Sequence, residues 1–272
     1  MTLLRTKLGV VDCPQKLIIY SPPKTGKTTS LAELEGNFIL DLESGTGGVT
    51  GSILDVKREV IDRKIENPGD RAIAPWKIIG EFYNELLQLE KTKEGIPFRH
   101  ITFDTIDALE EACRYMIWAE NEQDPLDMDY GKGYGMIRDR LMKLLNLFIG
   151  LGLNVIIVGH RKKSIIEKAV VKSTDKNVKA KGTITVTTND LEVTGRLKSI
   201  LFAWADCIGY GNRQLSEAGD VGFYLSFIRD TDDNTEAGSR IARLEGRNIL
   251  IHEMKDGKTM TNNWDEIFPK GD

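Results

Sequence analysis

The chain has 272 residues, 40% of them hydrophobic, enough to bury a core as one large α/β domain or two small ones. Its 41 acidic and 37 basic side chains leave a net charge of −4, which excludes a broadly basic nucleic-acid binder and requires any basic surface to be local. Cys13, Cys113 and Cys207 show no C-x-x-C spacing, which argues against a disulfide framework or a zinc site.

Apolar runs of strand length alternate with helix-like segments, the pattern of a mostly parallel sheet flanked by helices. KLIIY (16–20) predicts a strand that feeds a helix over 27–34. NFILDLE (37–43) predicts a second strand ending in acids, and SGTGGVTG (44–51) holds too few apolar residues for an element. Residues 75–91 have helical spacing, with Ile78, Phe82, Leu86 and Leu89 on one face. RHITFD (99–104) reads as a strand, followed by a helix from Ile106 to Glu120. DYGKGYG (129–135) breaks the pattern before an amphipathic helix over 136–151. NVIIVGH (154–160) is the most apolar run and suits a buried central strand. Beyond a lysine-rich stretch, CIGYG, GFYLSFI and NILIHEM predict short strands, antiparallel at a sheet edge. With no repeat or linker in view, the expectation is one α/β domain over 1–272, with 161–190 as an inserted hairpin or loop. No apolar run reaches the ~18 residues of a membrane span, and residues 1–10 lack the apolar core of a signal peptide. A soluble cytoplasmic protein with no membrane partner is therefore expected.

The stretch SPPKTGKT (21–28) matches the phosphate-loop pattern G-x-x-x-x-G-K-[ST] except that Ser21 replaces the first glycine. In such a loop backbone N–H groups at a helix start surround the phosphates, so Pro22, Pro23, Lys24, Thr25, Gly26, Lys27, Thr28 and Thr29 form the candidate ATP site. Lys27 would reach the β- and γ-phosphates, and the Thr28 hydroxyl would ligate Mg²⁺. Ser21 stands where the strand ends and costs less there than it would at Gly26, where the backbone must approach the phosphate. A metal site also needs an acid, and HITFD delivers Asp104 at a strand's C-terminal end, where α/β sheets bind ligands. The residue after Asp104 is Thr105, so the water-activating base must come from elsewhere; Glu43 is the other acid at a strand end.

These motifs resemble the RecA-like P-loop ATPases. In that superfamily the strand after the phosphate-loop helix ends in Asp-x-Glu, matched here by Asp41 and Glu43, and the glutamate is the catalytic base. TFDTIDAL looks like the metal-binding strand, and VIIVGHRKK like the next strand, whose last polar side chain, here His160, senses the γ-phosphate. Within the superfamily, PPKTGKTT, LDLESG, DYGKGYG, VIIVGH and EAGSR are similar to compact phage ATPases with a RecA core. Members of that group include single-strand annealing proteins of phage recombination systems. The resemblance runs from about residue 16 to 245; it departs at Ser21 and at the long hydrophilic insert after His160. It implies a homo-oligomer, ring or filament, with nucleotide between subunits, in a host-cell cytoplasm if phage-encoded. The neighbour would supply an arginine finger, with Arg240 of Gly-Ser-Arg the first choice and Arg243 the second.

RecA-like proteins contact single-stranded DNA through two loops, and both positions carry suitable residues. The first holds Tyr130, Lys132 and Tyr134 between glycines, where an aromatic can stack on a base and a lysine meet a phosphate. The second holds Arg161, Lys162, Lys163, Lys168, Lys172, Lys176, Lys179 and Lys181 against only Glu167 and Asp175. SIIEKAVVK and GTITVTTND could pair as a β-hairpin that projects these lysines. The bland alternatives are a helix-entry turn for the first and a solvated hairpin for the second. The expected function is a DNA-stimulated ATPase that anneals or exchanges single strands, with a single-strand-binding protein as a further partner. A helicase-like or assembly motor shares these motifs but lacks an evident unwinding domain. A small-molecule kinase shares the phosphate loop, but no arginine-rich lid is visible.

Overall fold

A computed structural model describes residues 12–171, 181–215, 220–229, 235–255 and 258–270. Strand β1 (Lys16–Ser21) alternates its side chains between the two sides of a sheet. Ile18 and Tyr20 join one core layer, and Leu17 and Ile19 the other. All four are fully buried, each worth roughly 1.5–3 kcal/mol against exposure. Helix α1 (Lys27–Ala32) follows the loop and has only six residues, too short to be stable by itself. Side chains from elsewhere satisfy its last carbonyls: Asn37 Nδ2 donates to Leu31 O at 2.8 Å and Trp264 Nε1 to Ser30 O at 2.7 Å.

β2 (Asn37–Asp41) is followed by two elements that the sequence reading missed, β3 (Ser52–Asp55) and α2 (Val56–Asp62). Asp55 caps α2 by accepting from Arg58 N at 2.9 Å. Helix α3 (Pro68–Thr92) begins seven residues before the expected start at 75, a difference of 75 − 68. Asn67 caps it through Gly69 N and Asp70 N, and Pro68 occupies its first turn, where no N–H is needed. β4 (His100–Asp104) leads to α4 (Ile106–Asn121), and α5 (Lys132–Gly150) to β5 (Asn154–Val171). β5 turns back antiparallel as β6 (Lys181–Leu191), with Arg161 opposite Leu191 and Val171 opposite Lys181. Helix α6 (Leu197–Trp204) then precedes β7 (Cys207–Leu215), β8 (Val221–Ser226), β9 (Gly238–Ser239), β10 (Asn248–Lys255) and β11 (Lys258–Asn262).

The main sheet runs β11-β10-β8-β7-β1-β5-β4-β2-β3. From β7 to β3 its neighbours are parallel, and β8, β10 and β11 continue it antiparallel. The expected fold class holds: a mostly parallel sheet between helices, with antiparallel strands toward the C-terminus. One core layer gathers residues of α3, α4 and α5; the other gathers α1 and the C-terminal Trp264, Ile267 and Phe268. Among the described residues no helix is long and apolar enough to cross a membrane.

His100 at the start of β4 gives the core a pH dependence. Burial, then the adjacent Arg99 charge, lowers its pKa to about 4; its ring lies 4.3 Å from Phe268. The unfolded chain protonates this histidine below its ordinary value while the folded chain resists until about 4. Its stabilising contribution is therefore full above pH 6.5 and lost as pH falls to about 4. His100→Gln, which keeps an acceptor for Asn154 Nδ2, is expected to flatten stability between these limits by on the order of 3 kcal/mol. Urea unfolding of both proteins across that range checks it; parallel curves would show that His100 titrates freely.

Candidate nucleotide site

The parallel strands β1, β4 and β2 end side by side along β5, in register Ser21–His160, Asp104–Val158 and Asp41–Asp104. Residues distant in sequence therefore meet along one edge, where β1, β2 and β4 give way to loops or a helix and β5 runs on past His160. Gly26 closes the phosphate loop at φ 99°, a left-handed conformation that glycine adopts without a Cβ clash. Ser21, the departure from the motif, has a use here. Lys27 Nζ donates to Ser21 Oγ at 2.8 Å and to Pro22 O at 3.2 Å, and Ser21 Oγ also lies 2.6 Å from Thr25 Oγ1. The serine hydroxyl thus parks the lysine within its own loop. Burial lowers the Lys27 pKa, while Asp104, Glu43 and Asp107 oppose that shift.

Thr28 Oγ1 donates to Asp104 Oδ2 at 2.5 Å, so the two expected Mg²⁺ ligands are already in contact. Burial, partly countered by this hydrogen bond and by Lys27, raises the Asp104 pKa to about 6. Hydroxyl and carboxylate oxygens are the donors that Mg²⁺ takes, and a cation there would favour the ionised carboxylate against its burial, so the pair fits the ion. Asp41 is almost fully buried and fully engaged: it accepts from Glu43 N, Thr46 N and Thr46 Oγ1 at 3.0, 3.0 and 2.6 Å. It shapes the glycine-rich loop and so aims Glu43.

Glu43 Oε1 accepts from Thr105 Oγ1 at 3.0 Å and lies 3.8 Å from His160 Nδ1. His160 Nδ1 lies 3.3 Å from Asp107 Oδ2. That bond is the main cause raising the His160 pKa. For Asp107 burial acts upward, but bonds from His160 and Thr105 outweigh it and hold the carboxyl below its usual range. Asp107 is the site residue that sequence reading missed. Its signal was present: in DTID it follows Asp104 by three residues, in the first turn of α4 just beyond the strand end. Glu43, Asp107 and His160 offer ligand atoms within 4.8 Å of one another.

The other expected residues are dispersed. Tyr130 is fully exposed at φ 55°. Lys132 and Tyr134 lie in the first turn of α5 rather than in a loop, because Gly131 ends the turn and begins the helix at φ 69°. Gly133 serves packing, since a Cβ there would sit 1.7 Å from Pro125 O. Arg161, Lys162 and Lys163 stand at the base of the β5–β6 hairpin; Lys168 and Lys181 lie on its strands, and Lys172, Lys176 and Lys179 fall outside the described residues. Arg240 is at the opposite sheet end from the phosphate loop. Its N–H donates to Asp206 O, Asp206 N donates to Lys16 O, and its guanidinium donates to Ala203 O. Arg243, the second choice, is committed to the carbonyls of Asp12, Glu266 and Ile267.

A lysine in a strand–loop–helix turn, a threonine bonded to a buried aspartate beside it and a mostly parallel sheet between helices define a P-loop, ATPase-type nucleotide-binding domain. Residues 13–245 match the family described as AAA domain, and the chain belongs to that family. A search of curated proteins found no match.

Proposed function

We propose that the chain is a RecA-like ATPase that hydrolyses ATP in response to single-stranded DNA, as an annealing or strand-exchange protein of phage type. The observation that carries this reading is the continuity of β5. One strand pairs through His160 with Ser21 of the phosphate loop and runs unbroken into the lysine-bearing hairpin.

Backbone N–H groups of residues 24–29 and the Lys27 ammonium bind the phosphates, which take over the contacts that Ser21 and Pro22 make with Lys27. Thr28 and Asp104 would hold Mg²⁺, which screens phosphate charge when bound. Glu43, steadied by Thr105, accepts a proton from the attacking water. His160, whose pKa the hydrogen bond with Asp107 raises, offers a ring N–H to the γ-phosphate. Six strand residues at about 3.3 Å each separate Arg240 from its own chain's phosphate loop. Arg240 can therefore act only on a neighbouring copy's nucleotide, which makes a homo-oligomer part of the reading. Tyr130, Lys132 and Tyr134 supply a second contact to the strand.

A second reading, a small-molecule kinase, is favoured by a cavity of about 620 Å³ that reaches Glu43 and Asp107 and is lined by Lys57, Arg71, Tyr115 and Lys162. Fluorescence anisotropy of a labelled single-stranded oligonucleotide separates the two. The ATPase reading expects binding that tightens with Mg²⁺ and a non-hydrolysable ATP analogue. A strand that stays unbound in both conditions, with phosphate transferred to a small acceptor instead, contradicts it.

A further inference from the structure

A second cavity, of about 480 Å³, lies between the base of the hairpin and strands β7, β8 and β10. That volume falls in the roughly 300–1,000 Å³ of small-ligand sites. Arg161 and Lys163 line it, and among the described residues no carboxylate does, in a chain whose net charge is −4. Arg161 is half-buried, yet among the described residues it meets only neutral partners. Its Nη1 donates to Asn189 Oδ1 at 3.4 Å and Tyr210 Oη at 3.3 Å, and its Nε is buried without an acceptor. A sequestered guanidinium without an anion is unfavourable, and a ligand that supplies one removes the penalty.

The neighbouring groups complete a donor set. Tyr210 accepts from Arg161, which leaves its own hydroxyl proton to give. Gln214 Oε1 accepts from Asn248 Nδ2 at 3.2 Å, which leaves the Gln214 amide N–H₂ to donate. Asn212 differs: its buried Oδ1 is an acceptor with no donor among the described residues. A phosphodiester has no proton for it, but the N–H edge of a nucleobase does.

We infer that this cavity is a nucleotide subsite for single-stranded DNA, with the phosphodiester on Arg161, Lys163 and Gln214 and a base edge on Asn212. The inference rests on the single-strand reading above and gives that strand a defined seat outside the hairpin tip. The seat adjoins the ATP site through the backbone, since Arg161 follows His160, and Tyr210 pairs with Tyr20 just before Ser21.

Gln214→Glu tests the subsite by placing a carboxylate where the phosphate would lie. Lys163→Gln, at an exposed position, carries the test if the first variant loses its thermal unfolding transition. Binding of a labelled oligothymidylate is followed by anisotropy across a salt series. Each variant is expected to weaken binding by about tenfold or more. The log–log salt slope should fall by about 0.7 for each lost phosphate contact. Wild-type binding with both variants unchanged in affinity and slope overturns the subsite and leaves the single-strand reading standing. A wild type that binds no strand overturns both. Inorganic phosphate alone displacing the strand at micromolar concentration assigns the cavity to a free anion and overturns the nucleotide assignment.

Discussion

Lys27→Ala is expected to lose nucleotide affinity by on the order of 10²- to 10⁴-fold, since two charge-assisted hydrogen bonds at roughly 1.5–3 kcal/mol each disappear. The backbone N–H groups of the loop remain, but they leave the β- and γ-phosphate charge poorly compensated. The fold should tolerate the change. Among the described residues the Lys27 ammonium is hydrogen-bonded only to Ser21 Oγ and Pro22 O, and burial already disfavours its charged form. Titration with a fluorescent ATP analogue checks the loss, with a thermal melt as the folding control. Undiminished affinity in a folded variant would show that nucleotide binds elsewhere.

Glu43→Gln is expected to retain ATP binding while turnover falls by about 10²- to 10⁴-fold, the usual contribution of a general base. The amide oxygen can still accept from Thr105, so the loop that Asp41 shapes should keep its position. What disappears is the capacity to take a proton from water. Steady-state phosphate release with ATP-analogue affinity measured in parallel separates the two effects. A variant that turns over at the wild-type rate while an Asp104 variant fails places the base on another residue, with Asp107 the nearest carboxylate to His160.

The fold was legible where local pattern and burial agree. The strands 16–20, 37–41, 100–104 and 154–160 are continuous apolar runs, and a parallel sheet buried on both faces demands such runs. β3 and α2 were not legible, because their burial comes from tertiary neighbours and their start is set by Asp55, a cap that resembles any other surface acid. The entry to α5 was misjudged for a related reason. Glycine in sequence suggests mobility, whereas Gly133 is small because the Pro125 carbonyl lies against it. At the nucleotide edge, Lys27, Thr28, Asp104, Glu43 and His160 were readable because motif spacing fixes where strands end. Asp107 was hidden because its partner, His160, lies on a strand 53 residues later. The Arg161 cavity was equally hidden, because its polar walls come from β5, β7, β8 and β10, which only the folded sheet brings together.

The central claim is that ATP held by the loop from Ser21 to Thr29 is hydrolysed in response to a single strand bound at the hairpin. The most direct test is the rate of phosphate release from Mg²⁺–ATP by the wild-type chain, with and without a single-stranded oligonucleotide long enough to span several copies. The account predicts that the strand raises the rate and that added salt abolishes the increase as phosphate contacts are released. A rate unchanged by the strand, under conditions where anisotropy shows the strand bound, would contradict it.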